Sequence, residues 1–126
     1  LFLGIDPTEL ADILDEAPQL KVVVISACYS GGFIPELSAE NTLVITAAAA
    51  DRPSFGCSNE ETMTYFGRAF FETAFSLEKP LNEVFDDAKT AVTERELAQD
   101  YDPSNPKIWE PESVIQAWDE WRTQVN

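Results

Sequence analysis

Residues 21–32, KVVVISACYSGG, contain the pattern that decides the fold. Residues 22–27 are apolar with one exception, and such a run between helical segments is typical of a buried strand in a parallel sheet. Cys28 follows at the carboxyl end of this strand, which is where ligands bind in α/β folds. The glycines Gly31 and Gly32 come next and let backbone or substrate approach closely. Two interpretations of Cys28 stay open on this basis: a reactive nucleophile, or a small core residue, as free cysteines often are.

The rest of the chain alternates helical and strand patterns. Asp6, Pro7 and Glu9 mark a helix start, because aspartate caps the first turn and proline fits its first position. Apolar spacing and turn residues predict, in chain order, a strand end over 1–4, a helix over 10–17, strands over 22–27 and 42–48, helices over 61–76 and 80–92, a short strand over 107–109 and a last helix after Pro111. This alternation predicts an α/β fold with a mostly parallel sheet.

The composition excludes several classes of function. The chain has 126 residues, which is one domain at most, and its 23 acidic and 8 basic residues give a formal net charge of −15. Nucleic acids and anionic membranes need a positive protein face, so we expect no nucleic-acid partner. The chain has no histidine, and the spacing of Cys28 and Cys57 matches no metal motif, so we expect no metal and no other cofactor.

Two ordered blocks of the sequence resemble the legumain-type cysteine peptidases (asparaginyl endopeptidases), a branch of the caspase-like fold. The first is Ala27-Cys28-Tyr29-Ser30-Gly31, which matches the family pattern Ala-Cys-x-Ser-Gly after an apolar strand. The second comprises Thr46-Ala47-Ala48, a loop with Arg52, Ser54, Phe55 and Cys57, acidic residues, and Thr64-Tyr65-Phe66-Gly67. The resemblance implies a three-layer sandwich with a mostly parallel sheet, of which residues 1–126 form the C-terminal portion of a single peptidase domain.

The resemblance also implies an activity, the hydrolysis of peptide bonds in a peptide or protein substrate. Cys28 is the implied nucleophile, and its backbone amide is one of two oxyanion donors. In the family the base is the histidine of a His-Gly pair, whose glycine supplies the other donor, and a segment like LFLG of residues 1–4 follows that pair. We therefore expect the histidine upstream of Leu1, and residues 1–126 alone to be nearly inactive.

Other functions remain compatible with these residues. A related transamidase passes its acyl-enzyme to an amine instead of water, and the nucleophile strand does not separate the two reactions. A catalytically inactive caspase-like scaffold that binds a partner is the alternative from another class, favoured by the absent histidine. An incomplete sheet also exposes a strand edge, and such edges favour pairing with another copy of the chain.

Four further residues are candidates for substrate binding by the same resemblance. Ser54 and Phe55 match the loop that lines the family's substrate cleft, and nothing marks Cys57, which matches a family cysteine, as catalytic. Ser26 and Arg68 each stand where the family has an acidic residue of the asparagine-selective pocket. The lost negative charge predicts that acidic residues are accepted before the scissile bond and basic ones disfavoured. The alternative is that Arg68 lies on the solvent face of its helix.

Overall fold

The computed structural model describes residues 6–55 and 64–125. The sheet in this part of the chain has three strands in the order β1-β2-β3, which are β1 (Lys21–Ile25), β2 (Thr42–Thr46) and β3 (Lys107–Trp109). The helical segments are α1 (Pro7–Asp15), a 3₁₀ turn (Ser30–Phe33), α2 (Ile34–Leu37), α3 (Tyr65–Arg68), a π-helical turn (Ala69–Ala74), α4 (Leu81–Ala98) and α5 (Glu112–Val125). The expected strand end over 1–4, the expected helix start over 61–63 and Cys57 lie outside the described residues.

The sheet is mixed, whereas the sequence predicts a mostly parallel one. β1 and β2 are parallel, with Val23 opposite Val44, but β2 and β3 are antiparallel. The reason lies in the path of the chain after α4. The chain enters β3 beside the carboxyl end of β2, where Lys107 pairs with Thr46, and it can only run back along β2 from there.

The core is built on β2 and the helices after it. Every residue of β2 is buried, as the apolar sequence TLVIT predicts, and Leu43 and Ile45 share one face of the strand. These two side chains belong to a cluster whose other members include Phe66, Phe70, Leu81, Val84, Phe85, Ala88, Val92 and Val114. The α4 members recur at helical spacing, so a periodicity visible in the sequence produces the packing.

A local signal accounts for the start of α1. Asp6 caps α1 by accepting a hydrogen bond from the backbone N–H of Glu9 at 2.8 Å, and Pro7 occupies the first turn. After α3 the helix widens, because the N–H of Phe75 donates to the carbonyl oxygen of Phe70, five residues earlier, at 2.9 Å. Within the described residues, no helix combines the length and the apolar character that crossing a membrane requires.

Candidate active site

Cys28 lies in the turn that follows β1. Its thiol is free and the residue is exposed, which favours the nucleophile interpretation over that of a core cysteine. The next residue, Tyr29, has a left-handed backbone with φ 58°, a conformation uncommon for a residue with a side chain. This reversal leads the chain into the 3₁₀ turn, so that Cys28 stands at the carboxyl edge of the sheet.

The loop after β2 holds the sulfur in place. The backbone N–H of Ser54 donates to Cys28 Sγ at 3.2 Å, and Sγ donates to the carbonyl oxygen of the same residue at 3.3 Å. The N–H of Tyr29 donates to the carbonyl oxygen of Arg52 at 2.8 Å. The two loops that the sequence places after neighbouring strands therefore meet, as expected for parallel strands whose carboxyl ends share an edge.

Ser30 and Gly31 join the Cys28 turn to the end of β2. Ser30 is fully buried, and its hydroxyl accepts a hydrogen bond from the N–H of Ala48 at 3.3 Å. A Cβ on Gly31 would lie 2.6 Å from the backbone N of Ala50 and 2.9 Å from the carbonyl oxygen of Ala48. Only glycine allows this approach of two backbones, whereas a Cβ on Gly32 would meet its nearest atom at 3.9 Å.

The backbone amide of Cys28 differs from those of its neighbours. It has no hydrogen-bond acceptor within residues 6–55 and 64–125, although the amides of Tyr29 and Gly32 nearby are both engaged. An unengaged amide beside a nucleophile is the geometry that stabilises the oxyanion in acyl transfer.

Ser26 contacts the start of α3. Its hydroxyl shares a short hydrogen bond with the hydroxyl of Thr64, which also accepts from the N–H of Gly67 at 2.9 Å and so caps that helix. The segment carrying Ser26 and Cys28 is thereby joined to the first turn of α3. Ser26 itself is exposed, as a residue that lines a binding cleft must be.

Arg68 ends α3, one turn after Thr64. Its guanidinium lies 3.8 Å from the carboxylate of Glu72, and its side chain is 41% exposed. It also lines a cavity of about 150 Å³ with Tyr65 and with Arg95 of α4. Ser54 is hydrogen-bonded to the Cys28 sulfur, Ser26 to Thr64 at the start of α3, and Phe55 stacks on Tyr101.

Phe55 directly follows Ser54, the residue whose backbone is hydrogen-bonded to the Cys28 sulfur. Its ring stacks on Tyr101, with centroids 4.4 Å apart and planes 15° apart. Neither Tyr101 nor Thr64 was among the predicted site residues, although Thr64 begins the last motif of the second matching block. Tyr101 belongs to a loop after α4 that sequence patterns describe only as irregular, and an aromatic residue among turn residues was the one available signal.

A comparison with protein families identifies one family whose sequence model covers most of the chain. The sequence model of the peptidase C13 family matches residues 4–116, which include the Cys28 turn, both loops and α3. The chain belongs to the peptidase C13 family. The match confirms the predicted membership of the legumain-type cysteine peptidase family. The fold of the described residues is mixed α/β. A comparison with curated proteins found no match.

Proposed function

We propose that the chain is the C-terminal portion of a caspase-like, three-layer peptidase domain that cleaves peptide bonds as a legumain-type cysteine endopeptidase. Cys28 is the nucleophile. The observation that carries the proposal is the position of this exposed thiol at the carboxyl end of β1, held between the N–H and the C=O of Ser54. Membership of the peptidase C13 family supports the class of reaction.

The proposed reaction proceeds in two steps. The thiolate of Cys28 attacks the carbonyl carbon of the substrate, and the resulting oxyanion accepts a hydrogen bond from the Cys28 amide. The C–N bond then breaks, the leaving amine takes a proton from an imidazolium, and a thioester remains on the sulfur. Water activated by the neutral imidazole hydrolyses this thioester and restores the thiol.

The imidazole has to come from outside residues 1–126, since the chain has no histidine. We propose that a strand upstream of Leu1 carries it. β1 is at the edge of the described sheet, with β2 on one side. A strand paired in parallel with the open edge of β1 would end beside Ile25, and a histidine at that end would face the Cys28 turn.

The experiment uses the full-length protein and a peptide library. We expect limiting iodoacetamide to label Cys28 first, and Cys28→Ala to lower peptidase activity by roughly 10⁴-fold or more, since the nucleophile has no substitute. Cys57→Ala is the matched control, because it removes the other cysteine of the chain and should leave activity unchanged. Residues 1–126 alone should turn over the peptides at least ~100-fold more slowly, because base and second oxyanion donor are missing.

Other outcomes separate the alternatives. Preferential labelling of Cys57, or full activity in Cys28→Ala, would contradict the proposed nucleophile. A full-length protein that binds peptides without cleaving them is the inactive scaffold. Products joined to an added amine, in place of free acids, identify a transamidase. The preference for acidic residues before the scissile bond stays a prediction, and the Glu72 carboxylate beside Arg68 weakens it by offsetting part of the positive charge.

A further inference from the structure

The segment between α4 and β3, residues 99–106, forms a loop that passes close to the candidate site. The N–H of Ala49 donates to the carbonyl oxygen of Ser104 at 2.9 Å, which ties the loop to the chain just after β2. Ala49 lies between Ala48, the donor to Ser30, and the loop that holds the Cys28 sulfur. The 99–106 loop therefore borders the same edge of the sheet as the nucleophile.

Hydrogen bonds to Glu96 of α4 hold the 99–106 loop in one conformation. Glu96 of α4 is fully buried, and its Oε1 accepts a hydrogen bond from the N–H of Ser104 at 3.0 Å. Its backbone carbonyl oxygen accepts from the N–H of Tyr101 at 2.9 Å. Asp100 and Asn105, near the two ends of the loop, have left-handed backbones with φ of 60° and 58°. Aspartate and asparagine adopt this backbone more readily than other residues with a side chain, so the hydrogen bonds to Glu96 are what fix the loop.

The 99–106 loop carries Tyr101 next to Phe55. The tyrosine ring stacks on Phe55, and Tyr101 is 39% exposed, so the described residues cover the aromatic pair only in part. Phe55 is one residue from Ser54, whose backbone brackets the sulfur. Consecutive Cα atoms are about 3.8 Å apart, and an extended peptide advances about 3.3 Å per residue. The aromatic pair thus lies within reach of substrate residues close to the attacked carbonyl.

We propose that Tyr101 is a specificity-determining residue: with Phe55 it forms an aromatic wall of the substrate cleft that binds a large apolar side chain of the peptide, within two residues of the scissile bond. Glu96 is the positioning residue that holds the loop carrying Tyr101. The inference rests on the proposed function, because it assigns part of the cleft to a substrate that Cys28 attacks.

The test compares two series of peptides on the full-length protein. One carries leucine or phenylalanine at each position within two residues of the scissile bond, and the other carries glycine there. We expect Tyr101→Ala to lower kcat/KM for the apolar peptides at one position by about three- to tenfold, the effect of losing one aromatic contact, and to leave the glycine peptides unchanged. Tyr101→Phe keeps the ring and should behave as the unaltered protein. Phe71→Ala removes another exposed aromatic, on the π-helical turn, and should change neither series.

A binding measurement separates this proposal from the peptidase proposal. The same peptides, made fluorescent, are titrated into full-length Cys28→Ala and into Cys28→Ala with Tyr101→Ala. Weaker binding of apolar peptides alone supports the aromatic wall even if the unaltered protein cleaves nothing. The aromatic-wall proposal would be overturned by equal losses of binding for apolar and glycine peptides, by no loss, or by no binding of any peptide. Cleavage without selectivity between the two series would also overturn it, while leaving the peptidase proposal intact.

Discussion

Gly31 has the strictest side-chain requirement of the residues around the thiol. A Cβ there would come within 2.6–2.9 Å of backbone atoms of Ala48, Ala49 and Ala50. Backbone atoms cannot rotate away as a side chain can, so the Cys28 turn and the end of β2 would have to separate.

We expect Gly31→Ala to lower the free energy of unfolding by about 1–3 kcal/mol, the range for overpacking a close-packed site. The same separation moves Ser30 from Ala48 and shifts the Cys28 turn, so thiol labelling should change as well. Urea unfolding followed by circular dichroism measures the first effect, and the rate of iodoacetamide labelling the second. Gly32→Ala is the matched control, because the nearest atom to its Cβ would be 3.9 Å away. Equal effects of the two substitutions would show that backbone contact at residue 31 is not what matters.

At the scale of elements, α4 fixes the loop that follows it through both the side chain and the backbone carbonyl of Glu96. Glu96 lies on the face of α4 that carries Val92, and its carboxylate accepts from the N–H of Ser104. Residues 99–106 have no regular hydrogen-bond ladder of their own. The placement of β3 at the end of this loop therefore depends on α4 as much as on pairing with β2.

We expect Glu96→Ala to lower the free energy of unfolding by about 1–3 kcal/mol, because it leaves the buried N–H of Ser104 without an acceptor. Glu96→Gln keeps an acceptor oxygen in the same place and should cause a smaller loss. Denaturant unfolding of both variants and the unaltered protein provides the comparison. If glutamine and alanine are equally destabilising, the Ser104 hydrogen bond is not the source of the effect.

At the scale of the whole molecule, two features have opposite effects on self-association. The exposed edge of the described sheet favours it, and the large net charge disfavours it. β1 lies at the edge of the described sheet, and Val22, 37% exposed, lines a groove of about 320 Å³ with Leu20, Trp118 and Trp121. Such a surface favours pairing with a second copy. The formal charge of −15 on each chain opposes that pairing at long range.

We therefore expect residues 1–126 to self-associate more strongly as salt is raised. Going from about 0.01 M to about 1 M shortens the Debye length from about 30 Å to about 3 Å and so removes most of the repulsion. Sedimentation velocity across this range measures the effect. Val22→Ser should weaken association at high salt, whereas Val125→Ser, which removes an exposed valine at the end of α5, should not. Association that falls with salt would mean that charge pairs, and not the apolar edge, bring the copies together.

The sequence by itself determined the elements and the place of the thiol. The strand before Cys28, the strand predicted over 42–48, which the structure ends at Thr46, the short strand 107–109 and the α4 stripe follow from apolar periodicity, a property of neighbouring residues. The cap of α1 by Asp6 is equally local. Cys28, Ser54 and Phe55 were identified as site candidates because family motifs are contiguous stretches of sequence.

Only the tertiary structure decided what depends on residues far apart in the chain. The direction of β3 was missed because pairing depends on where the 99–106 loop leads the chain, and no periodicity encodes that. Thr64 caps a helix while bonding to Ser26, 38 residues away, and Tyr101 stacks on Phe55, 46 residues away. Cavities, stacked rings and buried carboxylates such as Glu96 arise when distant segments pack, so the wall of the cleft exists only in the folded chain.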